Sequence, residues 1–281
     1  MFDPLIYSNR RSELSQSLKD GFILLCGNNE VPMNYQSNSY PFVQDSSFLY
    51  YCGLDSPNLN LLINTYENTA TLYGTSQSID DVIWCGQSKT LNELAGLAHI
   101  DQISKKNNFK EDVNRILSKG EKFHILPQYR SDNKQILSEI FGEDKWQNYI
   151  SMDLIRSVIA QRSIKSELEV DEIKDAMVVT KSMHEMAMIN TKPGKTEQEI
   201  VVELVSLVHS KGIRLAYPSI FTVRGEILHN QSYGSTLQDG QLLLHDGGAE
   251  SKEHYATDIT RTYPVTGRFS LDQRSIYEIV L

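Results

Sequence analysis

The stretch Leu242 to Pro264, LLLHDGGAESKEHYATDITRTYP, decides the reading of the chain. Two apolar-rich runs, Leu242–Leu244 and Tyr255–Tyr263, flank the polar centre Ser251-Lys252-Glu253, a pattern that predicts an antiparallel hairpin closed by a short loop. A loop centred on Lys252 leaves Asp246 and Asp258 equidistant from it, so pairing sets the two carboxylates opposite each other on one sheet face. Directly opposed like charges destabilise a sheet, and a bound metal ion is the simplest cationic partner for them. Oxygen ligands of this kind favour hard or borderline divalent ions, and carboxylates shared by two ions serve hydrolytic chemistry. The bland alternative stands beside it: Asp residues near hairpins commonly cap turns or face water.

The run HDGGAE…YATDITRTYPVTGRFSLDQRSIYEIVL resembles the metal-binding hairpin of the pita-bread metallopeptidases, in particular the Xaa-Pro aminopeptidases (aminopeptidase P). Their pattern is D-A-G-x-E…Y-x-x-D-I-T-R-T-[FWY]-P…G-x-F…Q…Y-E-x-V-L. The resemblance implies that Asp246 ligates one metal and Asp258 bridges two. It departs from the pattern at Asp246-Gly247-Gly248, where the family has Asp-Ala-Gly, and in a turn one residue longer than in many relatives. His245 stands where the family carries an aliphatic residue. Strand alternation turns it away from Asp246, so it reads as packing or a buried hydrogen bond. Arg261 also points away by alternation, toward a structural carboxylate, and His254 is expected at the exposed turn.

Length and composition bound the class. The chain has 281 residues, 40% of them hydrophobic and 22% charged, which suits a globular protein of two ordinary domains. A net charge of −9 without clustered Lys and Arg argues against a nucleic-acid or anionic-membrane partner. The start, MFDPLIYSNRRSEL, does not read as a secretory signal, and Phe22–Cys26 is too short to span a bilayer. Cys26, Cys52 and Cys85 are isolated, so each reads as a small buried apolar residue in a reducing cytoplasm.

The first half alternates between elements. Ser8–Lys19 has helical spacing and Phe22–Cys26 reads as a strand; Phe48–Cys52, Leu59–Asn64 and Ala70–Tyr73 read as short β-rich runs, and Leu91–Leu97 and Val113–Leu117 as helices. These predict a mixed-sheet α/β domain over 1–155. Within it YPFVQDSSFLYYCGL resembles the Y-P-F-R-Q-D-S-x-F-x-Y-L-x-G segment of aminopeptidase P and its prolidase relatives, with Val43 in place of the usual Arg. On its residues alone this aromatic run reads mostly as core and sheet packing.

The second domain, 156–281, opens on a helix carrying Leu168, Ile173, Met177, Thr180, His184 and Ala187 at helical spacing and broken at Lys192-Pro193-Gly194. His184 reads as a hydrogen-bonded core histidine, because no acidic or thiol partner lies at ligand spacing. Thr196 and Glu199 form a capping-box pattern for a second helix that stops at Gly212, and Ser270 and Gln273 form another for the last. Tyr217–Arg224 and Gly225–His229 read as strands leading to the hairpin.

The resemblance implies the first half of an α+β pita-bread domain here, and it gives His229, within Leu228-His229-Asn230, the role of contacting the substrate carbonyl and stabilising the tetrahedral intermediate. The family's remaining ligands, one His and two Glu, lie downstream of Leu281. The implied function is removal of an N-terminal residue preceding proline at a dinuclear site, with manganese or alternatively zinc or cobalt. The resemblance further implies a peptide substrate with proline second and a homo-oligomeric protein. The present chain alone is expected to be inactive. Prolidase and a non-catalytic fragment or interaction module are the alternatives.

Overall fold

The computed structural model describes every residue except Lys19 and Asp144. Lys19, the expected end of the first helix, therefore lies outside the described residues. The chain divides into two compact units, Met1–Ile164 and Lys165–Leu281.

The first unit runs α1 (Pro4–Leu18), β1 (Phe22–Cys26), α2 (Ser46–Cys52), β2 (Asn60–Asn64), β3 (Thr69–Gly74), α3 (Ile79–Cys85), α4 (Leu91–Leu97), β4 (Gln102–Lys105), α5 (Phe109–Leu117), β5 (Phe123–Ile125), α6 (Ser131–Phe141) and α7 (Met152–Ser163). Its sheet has the order β4-β3-β2-β1-β5. β1 pairs antiparallel with β2 and parallel with β5, while β3 is antiparallel to β2 and parallel to β4, which makes the sheet mixed. Strand alternation feeds two apolar layers. Ile23, Leu25, Leu61 and Ile63 pack on one face with Leu14, Phe48, Tyr51, Ala95 and Leu154 from the helices. Leu24, Cys26 and Leu62 pack on the other with Val113, Leu137 and Phe141. Each face of the sheet is thus covered, as a strand apolar on both sides requires.

Phe48–Cys52 is not a strand but the body of α2. The Asp45 carboxylate accepts from the backbone N–H of Ser47 and Phe48, and Gly53, at φ 67°, closes the other end. Caps at both ends override the β preference of SFLYYC, and helical geometry sends Phe48, Tyr51 and Cys52 into the core together. Cys26 and Cys52 are buried as expected, whereas Cys85 is exposed, because no residue of α3 is buried.

The second unit runs α8 (Glu167–Asn190), α9 (Glu197–Ser210), β6 (Arg214–Leu215), β7 (Ile220–Thr222), β8 (Leu242–Gly247), β9 (Ala249–Glu250), β10 (Ile259–Pro264) and α10 (Leu271–Val280). Capping boxes start α8 at Ser166, α9 at Thr196 and α10 at Ser270. A three-stranded sheet, β10-β8-β7, packs through Phe221 and Leu243 on Met183 and Ala187 of α8 and Leu204 and Val208 of α9. A two-stranded ribbon, β6-β9, lies alongside. A mixed-sheet α/β unit is what the residue patterns predict for the first half, and an α+β unit after it is what the resemblance implies.

Among the described residues no helix is long and apolar enough to cross a membrane.

Candidate metal centre

β8 alternates strictly: Leu243, His245 and Gly247 are buried against the helices, and Leu242, Leu244 and Asp246 lie half-buried on the opposite face. β10 pairs antiparallel with β8, and Asp246 sits opposite Thr260. This departs from the expected pairing of Asp246 with Asp258 by two residues. The reason lies at the tip, which is centred on Glu253 and not on Lys252. The Ser251 N–H donates to the Tyr255 carbonyl, Glu250 bridges to Ala256, and His254 takes φ 67° to close the turn. Continuing the register puts Asp258 opposite Gly248, diagonal to Asp246. Because the shift is even, both aspartates keep one face.

Their carboxylates meet at a third side chain. The Tyr217 hydroxyl lies 2.6 Å from Asp246 Oδ1 and 2.7 Å from Asp258 Oδ1. Tyr217 belongs to the link between β6 and β7, and the N–H of its neighbour Ala216 donates to the Gly248 carbonyl at 2.9 Å. Burial and the two carboxylates together raise the phenol far above its ordinary pKa, so it stays a protonated donor. Sequence spacing gave no sign of Tyr217, because its separation from either aspartate, 29 and 41 residues, follows no strand or helix period and only tertiary pairing brings it there.

His229 is placed differently from the strand expected over Gly225–His229. Only Ile220–Thr222 is a strand; the Arg224 N–H turns back to Thr222 Oγ1 at 2.9 Å and the Ile227 N–H to the Arg224 carbonyl at 3.0 Å, which ends it. His229 is exposed in the turns that follow, and among the described residues no hydrogen bond or ion pair joins it to either carboxylate. The segment carrying it is anchored at both ends by one buried side chain. Glu197 Oε1 accepts from the Val223 N–H at 2.9 Å and Oε2 from the Ser235 N–H at 3.0 Å.

Behind Asp246, the His245 ring is fully buried and stacks on His184 with centroids 4.1 Å apart, with Phe221 edge-on at 5.3 Å. Burial, then the neighbouring His184, pushes its pKa down to about 3, so it is neutral. It packs as expected, but among the described residues neither ring nitrogen has a hydrogen-bond partner. His184 is a core histidine as expected, its Nε2 lying 3.2 Å from the Gly247 carbonyl. Arg261 departs from expectation: although it lies opposite His245 in the register, its side chain is exposed, donates to the Thr260 carbonyl at 2.8 Å and has no carboxylate partner among the described residues. His254 is half-buried instead of exposed, because Glu250 Oε1 lies 2.6 Å from its Nδ1 and Arg214 reaches the same carboxylate.

Two carboxylates converging on one face of the hairpin offer oxygen donors that fit a hard divalent cation. Among the described residues no group of three or more His, Cys, Asp or Glu assembles, so this chain offers a pair.

Comparison with known proteins fits this geometry. Residues 7–126 match the aminopeptidase P N-terminal domain, and residues 171–281 match metallopeptidase family M24. The Xaa-Pro aminopeptidase of Escherichia coli is 27% identical over 98% of this chain and 65% of its own length, and human Xaa-Pro aminopeptidase 3 is 27% identical over 95% and 54%. The chain thus spans about two thirds or less of the curated relatives it matches. The structure of E. coli aminopeptidase P with the inhibitor Pro-Leu superimposes with a TM-score of 0.85 at 25% identity, covering 100% of this chain and 66% of that one. The chain therefore carries an aminopeptidase P N-terminal domain followed by part of a family M24 metallopeptidase domain, and along nearly its whole length it is similar to Xaa-Pro aminopeptidases.

Proposed function

We propose that Asp246 and Asp258 are metal ligands of a Xaa-Pro aminopeptidase, and that the complete protein releases an N-terminal residue that precedes proline. The observation that carries this reading is the meeting of the two carboxylates at one point, 2.6 and 2.7 Å from a single hydroxyl. Divalent ions held there, manganese first among them, would supply Lewis acidity and water activation at the scissile peptide bond. The residues of this chain do the rest. Asp246 and Asp258 furnish the negative charge that holds the ions. His229, on the segment whose ends Glu197 clamps, donates to the substrate carbonyl as negative charge develops on it.

A pair of carboxylates satisfies neither the charge nor the coordination number of a dinuclear site, so the 281-residue chain by itself binds metal weakly and does not turn over. Hydrolysis of a tripeptide with proline second, against the matching Xaa-Pro dipeptide, separates aminopeptidase from prolidase activity. In the full-length protein, Asp246→Asn should abolish both turnover and bound metal. His229→Ala should lower kcat about a hundredfold with metal content unchanged. Full turnover in Asp246→Asn would sink the metal assignment, and loss of metal in His229→Ala with turnover per bound metal unchanged would sink the role given to His229.

A further inference from the structure

A tyrosine hydroxyl has one proton and two acceptor lone pairs, whereas an ionised carboxylate has about four acceptor sites over two oxygens. At the hairpin these inventories meet in a particular way. Tyr217 engages Oδ1 of Asp246 at 2.6 Å and Oδ1 of Asp258 at 2.7 Å, and among the described residues the Oδ2 atoms carry no hydrogen bond. The two Oδ1 atoms therefore share the phenol's single proton, and the Oδ2 atoms are left for a cation. The rotation of both side chains is fixed by the same contact.

Tyr217 is itself tied to the hairpin whose aspartates it bridges. The Ala216 N–H donates to the Gly248 carbonyl at 2.9 Å on one side, and on the other the Ser219 carbonyl accepts the Tyr233 hydroxyl at 2.5 Å. Pro218, between these anchors, restricts the backbone further. The phenol is thus delivered by a braced segment and not by a mobile loop end.

We propose that Tyr217 is a positioning residue for the metal centre: its hydroxyl orients the Asp246 and Asp258 carboxylates into a metal-receptive pair, and metal affinity depends on it. This rests on the metal reading of those two residues. Without the hydroxyl the like charges have no shared donor and rotate apart, so an arriving cation must first gather them. Partners that orient ligands in this way contribute about 10- to 100-fold in metal affinity.

The test is a manganese titration of the full-length protein after chelation, followed by the electron paramagnetic resonance signal of free Mn2+, for the wild type, Tyr217→Phe and Asp246→Asn. Tyr217→Phe removes one oxygen and keeps the ring. It should bind Mn2+ about 10- to 100-fold more weakly, with circular dichroism and metal-free Tm unchanged, while Asp246→Asn should lose the site. Equal affinity in Tyr217→Phe and wild type overturns the proposal. So does a lowered metal-free Tm with unchanged affinity, which would make Tyr217 part of the scaffold alone. Failure of the wild type to bind, or undiminished binding by Asp246→Asn, removes the metal reading itself and the proposal with it.

Discussion

Gly247 and His245, two residues apart on the buried face of β8, account for each other. A Cβ added to Gly247 would lie 2.8 Å from Ser219 Oγ and 2.9 Å from His245 Nε2, so the serine and the imidazole together fill the space that an Ala would need. Gly248 differs in kind. A Cβ there would stand 1.8 Å from the Thr257 carbonyl oxygen, a backbone atom of the opposing strand that no side-chain change can move. Gly247→Ala is therefore expected to destabilise the protein by about 2 kcal/mol through overpacking. His245→Leu, which removes two buried nitrogens that lack partners, should stabilise it by about 1 kcal/mol. In the double variant the cost of Gly247→Ala should fall by about 1 kcal/mol, a coupling that urea denaturation of the four proteins measures. Strict additivity would show that the two positions are unrelated. The sequence displayed both departures from the family pattern, but not their linkage, because it is set by where the imidazole tip lies and not by strand alternation.

Among the elements, the hairpin tip is held by charge where its strands are held by pairing. Glu250 Oε1 accepts from Arg214 Nη2 at 2.6 Å and lies 2.6 Å from His254 Nδ1, joining β6, β9 and the turn. Burial alone would raise the Glu250 pKa, but the hydrogen bonds from His254 and Arg214 outweigh it and the net shift is downward. The ionised form is the one the fold prefers. Its contribution is complete above the unfolded carboxylate pKa of about 4.3 and is lost as pH falls through the lower folded value. Glu250→Gln should thus cost about 1 kcal/mol at pH 7, and the difference from wild type should shrink as pH falls below the unfolded carboxylate pKa in pH-resolved denaturation. A difference independent of pH would remove the charge from the account. The capping boxes at Thr196 and Ser270 were legible residue by residue, as were the strand Phe22–Cys26 and the shared face of Asp246 and Asp258. α2 was not, since its caps compete with a β-prone composition, and neither was the tip's centre, which depends on His254 adopting a left-handed backbone.

Across the whole molecule, each hydrophobic core belongs to one unit. Both apolar layers around the first sheet are drawn from residues between Leu14 and Val158, and the layer beneath β8 from residues between Met183 and Val265. A segment that carries its own covered sheet has the attributes of an independent domain. Residues 1–164 expressed alone should unfold cooperatively in urea with native-like circular dichroism, and a broad, non-cooperative transition would show that they depend on the remainder. The hairpin, finally, divides sensitivity to chain length within a few residues. The tip, 251–255, lies beyond the Glu250–Ala256 bridge, so insertions or deletions there, odd or even, leave every pair below the bridge in place. One residue added between Ala256 and Asp258 would instead flip that aspartate to the helix-packed face and strand a carboxylate away from its partner. Length drift in this segment can therefore accumulate at the tip without reaching the two aspartates, while the stretch just below the bridge admits none.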